Sequence, residues 1–175
     1  MDKRWRNLIL LFILIIVVAG VYILLTSSNI IGGGDLQKVA TKHNFSLTTL
    51  EFTSNTLSLD EINSLKSEMS AVKDSSGVKE IVIDKLDLMI SAVNFYDEYD
   101  SLLVNLENGV DSCSYRSTIS SLLLKVDSLL DLAVSFNEKI AGMGNVQYSG
   151  INTASIYGSK AVLVGYSDSL GDLCE

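Results

Sequence analysis

The chain of 175 residues contains no proline and only one histidine. Proline interrupts helix interiors, so its absence suits long, continuous helices. The sequence has only one histidine and two cysteines, the side chains that most often bind zinc or take part in nucleophilic catalysis. The HExxH, CxxC and GxSxG motifs do not occur in the sequence either. The sequence therefore predicts a protein that is not an enzyme and that needs no metal or cofactor.

Basic residues are scarce as well, with 13 Lys and Arg against 21 Asp and Glu. Because Lys3, Arg4 and Arg6 all precede the first long apolar run, the part after Thr26 has ten basic and twenty acidic side chains. Such an acidic surface repels nucleic acid and anionic lipid head groups. We therefore expect no nucleic-acid partner.

Charge is absent from the eighteen residues of Leu8–Leu25. A helix that crosses a bilayer needs about 17–25 apolar residues, so this run predicts a transmembrane helix. The basic residues before it, and the lack of charge after it until Asp35, place the N-terminus in the cytoplasm. The alternative is a signal peptide cleaved near Thr26-Ser27-Ser28, although signal peptides usually have apolar regions of only about 7–15 residues.

These signals divide the chain into four parts. Residues 1–7 are a cytoplasmic tail, residues 8–26 a signal-anchor helix, residues 27–34 a flexible glycine-rich linker, and residues 35–175 a domain outside the cytoplasm. We therefore predict a single-pass protein of the cell membrane, or a secreted protein if the N-terminal helix is cleaved.

Apolar periodicity predicts helices over most of the outer domain. The predicted helices are Asp35–Thr53, a second from the capping box of Ser58 and Glu61 to about Ser75, Val78–Asn108, a fourth to about Ala141, and Asn152–Leu173. Short connections between helices favour antiparallel neighbours. The predicted fold is all-α: one N-terminal transmembrane helix followed by an extracytoplasmic antiparallel bundle of four to five helices.

Three of these helices show distinct patterns. The fourth carries a heptad seam typical of coiled coils, formed by Tyr115, Ile119, Leu122, Val126, Leu129, Ala133, Phe136 and Ile140. In the third, the seam moves to Tyr99, Leu103 and Leu106, which leaves Asp100 outside the core. In the last, small residues are frequent, and Tyr157, Ala161, Val164, Leu170 and Leu173 can share one face.

The two cysteines are predicted to form a disulfide. Cys113 begins the fourth helix of the outer domain and Cys174 ends the fifth, and an antiparallel hairpin brings those two ends together. An extracytoplasmic location favours the same bond.

Few other residues are candidates for a functional site. Asn44-Phe45-Ser46 is a sequon whose Asn44 could accept a glycan. Tyr96, Asp97, Tyr99 and Asp100 form a candidate recognition patch, although the same pattern also fits a solvated acidic face flanked by core tyrosines. His43 lies on an apolar helix face and is interpreted as a packing residue.

The sequence favours a structural or protein-interaction role, with an unidentified protein partner or self-association. Long heptad-patterned helices without catalytic residues are typical of that class. The alternative is a ligand-binding or sensory helical bundle that acts through a partner in the membrane. A polar cavity inside the bundle would favour the ligand, and an exposed apolar stripe would favour the protein partner.

Overall fold

The computed structural model describes residues 34–53, 58–74, 76–108, 112–143 and 148–174. Within these ranges the protein is mostly helical, which confirms the predicted all-α class. The five α-helices are α1 (Gly34–Lys42), α2 (Leu59–Ala71), α3 (Val78–Glu107), α4 (Arg116–Gly142) and α5 (Ala154–Leu173). A 3-10 helix at Ser112–Tyr115 precedes α4, and strands β1 (Phe45–Ser46) and β2 (Glu51–Phe52) form an antiparallel hairpin.

None of the helices in these ranges has both the length and the apolarity that crossing a membrane requires. The predicted cytoplasmic tail and signal-anchor helix lie outside the described residues, as does the linker up to residue 33.

The long helices α3 and α4 form the antiparallel centre of the fold. Asp84 near the start of α3 pairs with Lys139 near the end of α4. Lys125, earlier in α4, lies 2.6 Å from Glu98, which is later in α3. The two helices therefore run in opposite directions. Between these ion pairs, Phe95 of α3 is 1% exposed, and it packs in one core with residues of α4.

The periodic patterns of α3 and α4 agree with the structure. All eight residues of the predicted α4 seam are buried except Tyr115, which is half-buried. The predicted shift of the α3 seam is confirmed in part: Tyr99 is buried and Asp100 exposed, but Leu102 is the buried leucine, whereas Leu103 and Leu106 are half-buried. The capping box of α2 is present, with the Glu61 amide donating to the Ser58 hydroxyl and the Glu61 carboxylate accepting from the Ser58 amide.

The predicted helix Asp35–Thr53 is wrong after Lys42, where α1 ends and the β1–β2 hairpin begins. Asn44 and Leu50 have φ angles of 53° and 56°, which a continuous right-handed helix does not contain. The Phe45 and Phe52 rings meet across the hairpin in an edge-to-face contact, with centroids 5.1 Å apart. This cross-strand pair brings two large side chains to one face of the hairpin, where Phe45 enters the first group of buried residues and Phe52 packs against it.

Two groups of buried side chains stabilise the fold. The first joins α1, the hairpin and α2 to the beginning of α3 and the end of α4. The second joins the rest of α3 and α4 to α5. The long α3–α4 pair therefore takes part in both cores.

Helix α5 runs antiparallel to α4. Its beginning is fixed by Asn137, which donates to the Ile151 carbonyl at 3.1 Å and accepts from the Ile151 amide at 2.7 Å. About two turns further along the chain, in α5, Lys160 lies 2.6 Å from Asp127.

The predicted face of α5 is divided between core and solvent. The residues that enter the core are Ile156, Leu163 and Leu170, spaced seven apart. Tyr157, Ala161 and Val164, which were expected to share a face with Leu170, are exposed. The helix is therefore rotated relative to the sequence prediction, and part of its apolar surface meets solvent.

Candidate interaction surface

The disulfide joins the two ends that the sequence predicted. Cys113 in the 3-10 helix and Cys174 after α5 are bonded, with Cα atoms 5.7 Å apart. The bond lies at the opposite end of α5 from Asn137 and Ile151. Helix α5 is therefore attached to the α4 side of the fold at both ends.

The candidate recognition patch on α3 does not form one surface. Tyr99 is 8% exposed and belongs to the second core, and Tyr96 is half-buried against the same core. Asp97 and Asp100 are both exposed. The two tyrosines therefore pack against the core, whereas the two carboxylates face solvent, as expected for a solvated acidic face beside core tyrosines.

The tyrosines of this segment belong to an aromatic cluster. The ring of Phe95 stacks with Tyr99 at a centroid distance of 5.5 Å and meets Tyr96 edge-on at 5.1 Å. Burial raises the pKa of the Tyr99 hydroxyl, and a hydrogen bond with the buried Ser159 of α5 opposes that shift. The cluster therefore joins α3 to α5 and keeps the Tyr99 hydroxyl protonated near neutral pH.

Two shallow depressions lie between α3 and α4, each about 370 Å³ and open to solvent. The first is lined by Ser91, Asn94, Phe95, Glu98, Lys125 and Ser128. The second is lined by Asp97, Glu98, Ser101, Leu102, Asn105, Tyr115 and Thr118. Both include Glu98, whose ion pair with Lys125 therefore lies where the two depressions meet. Most of the lining residues carry a hydroxyl, amide or charged group, and Phe95 and Leu102 contribute buried core side chains.

The single histidine takes part in a polar contact between α1 and α2. Nε2 of His43 lies 3.1 Å from Oε1 of Glu68, and this nitrogen has no other hydrogen-bond partner within the described ranges. Lys42 donates to both carboxylate oxygens of Glu68 at 2.7 and 2.9 Å. These bonds with Lys42 and His43 lower the pKa of the Glu68 carboxyl. His43 is thus a partly buried structural residue that links the first helix to the second.

We expect Glu68→Gln to destabilise the fold near neutral pH and to have little effect in acid. A carboxyl whose folded-state pKa is lowered stabilises the fold above its ordinary pKa of 4.5, and this contribution disappears as the pH falls through the folded-state value. Urea unfolding of both proteins near neutral pH and at about pH 3 measures the difference. An equal difference at both pH values would contradict the prediction. Glu138→Gln is the matched control, since Glu138 is an exposed glutamate on α4.

A second basic residue of the first core is Lys85 on α3. Its ammonium group lies 5.5 Å from the ring centroid of Phe136. Burial lowers the pKa of Lys85, and the negative charge of Glu51 in the hairpin opposes this shift. The contact places the lysine charge against an aromatic face, which partly compensates its loss of water.

Asn44 lies in the turn between α1 and β1. Its side chain is exposed, and its backbone carbonyl accepts hydrogen bonds from the amide and the hydroxyl of Thr53. The next residue of the sequon, Phe45, is 3% exposed and belongs to the core. Glycosylation of Asn44 stays a prediction, and the exposed amide is compatible with it.

The outward side of α5 exposes three large hydrophobic side chains, as many as the longer helix α4 does. We call it the outer α5 face. Its residues are Ala154, Tyr157, Gly158, Ala161, Val162, Val164 and Gly165, all of them exposed. Tyr157 is 54% exposed, Val162 43% and Val164 40%. Surface helices normally present polar residues to solvent, and this face has no charged residue over three turns.

Two glycines within the outer α5 face are not required by packing inside the fold. A Cβ atom added to Gly158 or Gly165 would have no heavy atom within 4 Å. Glycine in a helix interior costs about 1 kcal/mol relative to alanine. The fold therefore contains two destabilising residues on a surface where an alanine or a polar residue would fit.

The described residues contain no group of three or more potential metal ligands. Comparison of the chain with protein-family models, with curated proteins and with solved structures gives no match. Sequence reasoning noted the small residues of the last helix but missed the outer α5 face. The apolar positions at steps of seven, Ile156, Leu163 and Leu170, were the signal that could have found it.

Proposed function

We propose that this chain is a non-catalytic interaction module, held at the outer surface of a cell membrane by residues 8–26, whose outer α5 face binds a protein. The observation that carries this proposal is the exposure of Tyr157 and Val164 at one edge of a helix face without charge, and of Val162 at its other edge. Exposed apolar patches on soluble domains commonly mark binding surfaces. Tyrosine is also enriched in the centres of protein interfaces.

The attachment of α5 supports a binding role for its outer face. Because the disulfide fixes one end of the helix and Asn137 the other, the face keeps one orientation before a partner arrives. A preorganised surface loses less conformational entropy on binding than a flexible one.

Crosslinking of the full chain in its native membrane, followed by mass spectrometry, tests this function. We expect a reproducible protein partner whose crosslinks map to α5. Ala161→Glu should reduce the crosslinked product at least about tenfold, since an unpaired carboxylate in an apolar interface costs more than 1.4 kcal/mol. Asn63→Glu on the exposed side of α2 is the matched control. A partner that is retained in full by Ala161→Glu would contradict the proposal.

A second candidate is a ligand-binding bundle, favoured by the groove between α3 and α4. Its hydroxyl and amide side chains include Ser91, Asn94 and Ser128, which can orient a polar ligand. Mass spectrometry of the protein extracted under native conditions distinguishes the candidates. A bound small molecule that is lost in Asn94→Leu would favour the sensory role.

A further inference from the structure

The exposed apolar residues of α5 continue onto α4. Lys160 of α5 pairs with Asp127 of α4, so this ion pair marks where the outward sides of the two helices meet. Leu124 stands three residues before Asp127 and Val134 seven residues after it, and such steps fall on one side of a helix. Leu124 is 74% exposed and Val134 43%. The side of α4 that borders α5 therefore also presents apolar groups to solvent.

The matching residues of α5 belong to the edge of its outer face that borders α4. Tyr157 stands three residues before Lys160, and Val164 four residues after it. Because the helices are antiparallel, Val164 is level with Leu124, and Val134 lies beyond Tyr157 in the other direction. The four apolar residues together span about 15 Å along the helices, or roughly three turns. We call them the α4–α5 surface.

Carboxylates without a partner flank the α4–α5 surface. Asp131 and Glu138 lie four and eleven residues after Asp127, on the same side of α4, and Asp168 lies four residues after Val164 on α5. Asp131, Glu138 and Asp168 are all exposed, and none has an ion-pair partner within the described ranges. The surface is therefore apolar along its middle and negative along its sides.

The basic groups nearby do not cancel this charge. A hydrogen bond with Asp127 and, more weakly, the negative charge of Asp131 raise the pKa of Lys160, so Asp131 lies close to a lysine that is already paired. Arg116 begins α4 about 12 Å before Leu124, beyond the end of the surface. The net charge beside the four apolar residues is therefore negative.

Charge complementarity limits what can cover this surface. A second copy of the chain would bring the same carboxylates and be repelled, and the phosphates of nucleic acids and lipid head groups would be repelled as well. Two packed helices can accept a third beside them, because helix axes pack about 8–10 Å apart. An amphipathic helix supplies apolar side chains along one stripe, and Lys or Arg beside that stripe would meet the carboxylates.

We infer that the α4–α5 surface binds a basic amphipathic helix of a partner protein, with apolar side chains on Tyr157 and Val164 and Lys or Arg beside Asp131. This inference rests on the proposed function and specifies the chemistry of its partner. It also makes α4 part of the binding surface, which the exposure of α5 alone does not require.

The test uses the full chain in uncharged detergent micelles, with Val134 replaced by the photo-reactive amino acid p-benzoylphenylalanine. The probes are synthetic peptides of about 18 residues, or five helical turns. One is an amphipathic helix of Leu and Lys, the second has Glu in place of Lys, and the third has the Leu and Lys residues shuffled so that no apolar stripe forms. We expect the first to crosslink at least about tenfold more than the other two. The same photo-reactive residue at Val104 of α3, which is 55% exposed, should show no such preference.

Charge reversal beside the surface tests the role of the carboxylates. Asp131→Lys/Glu138→Lys should reduce crosslinking of the Leu and Lys helix about tenfold, since two attractive contacts become repulsive. Asp97→Lys/Glu107→Lys on α3 changes the net charge equally at two exposed positions and should retain crosslinking within about twofold. Circular dichroism should show that both double variants keep the helix content of the original protein.

Each other outcome overturns a defined part of the argument. Equal crosslinking of the Lys and Glu peptides at position 134, or equal loss in the two double variants, would overturn the basic helix. A native membrane partner that crosslinks to α5 through a segment without net positive charge would also overturn it and leave the proposed function standing. Crosslinks from position 134 to residues 1–33 or to a second copy would overturn a separate partner protein. Loss of the peptide preference together with the absence of any native partner would overturn both proposals.

Discussion

Replacing Phe95 with alanine is expected to lower the free energy of unfolding by about 3–5 kcal/mol. Phe95 is 1% exposed, and its ring contacts both Tyr96 and Tyr99. The loss includes the transfer of the ring from water and the cavity left between α3 and α4. Because domains of this size are stable by only about 5–15 kcal/mol, this one change would remove a large fraction of the total.

Urea unfolding of the full chain in detergent micelles, followed by far-UV circular dichroism, measures this effect. Asp97→Ala is the control on the same helix, since Asp97 is exposed, and should change stability by no more than about 0.5 kcal/mol. A loss below about 1 kcal/mol in Phe95→Ala would mean that the second core does not depend on this ring.

Removing the disulfide is expected to lower the free energy of unfolding by about 4 kcal/mol. The two cysteines lie 61 positions apart, and closing a loop of that length restricts the unfolded chain by about this amount in the chain-entropy model. The double variant Cys113→Ser/Cys174→Ser should therefore unfold at a clearly lower urea concentration than the oxidised protein.

Reductant provides the internal control for the disulfide. It should destabilise the original protein to a similar extent and have no effect on the double variant. In the double variant, amide hydrogen exchange should also be accelerated, and the acceleration should be larger at the end of α5, near Leu170, than in the centre of α4. Full reactivity of both thiols in protein prepared without reductant would show that the bond does not form.

The sequence predicted α3 and α4 well because their apolar periodicity is long, with one phase in α4 and a single shift in α3. In α4, eight positions at steps of three and four leave one choice of buried face. In α3, placing Asp100 in the core would have cost desolvation, and this decided where the seam shifts. The capping box of Ser58 and Glu61 was equally clear, because side-chain chemistry at a helix start depends only on neighbouring residues.

The hairpin was missed because its residues satisfy the helical pattern by coincidence. Leu47 and Leu50 stand at helical spacing from α1, and both are buried in the structure, but in the loop of the hairpin. Leu50 adopts a φ of 56°, a conformation that leucine rarely occupies and that no local sequence signal predicts. Tertiary packing of Phe45, Phe52, Leu47 and Leu50 in the first core stabilises this arrangement, together with hydrogen bonds from Thr53 to the Asn44 carbonyl.

The candidate site was harder to predict, for a related reason. Helix α5 has apolar or small residues on all sides, so several rotations satisfy its sequence pattern. Ile156 and Leu163 enter the core because they fit against α4, and this rotates Tyr157 and Val164 into solvent. Because apolar and small residues occur on both the buried and the exposed sides of α5, the sequence pattern alone cannot specify which side is buried.

Because the buried residues form two cores, we expect the protein to unfold in a defined order under mechanical force. A pull on Gly34 acts first on α1, the hairpin and α2, which belong only to the first core. These elements can peel away while α3, α4 and α5 still share the second core. The disulfide adds a covalent limit, because the chain between Cys113 and Cys174 cannot be extended by tension from either end. Force transmitted along the chain would thus lengthen the part that begins at Gly34 and leave α5 in place.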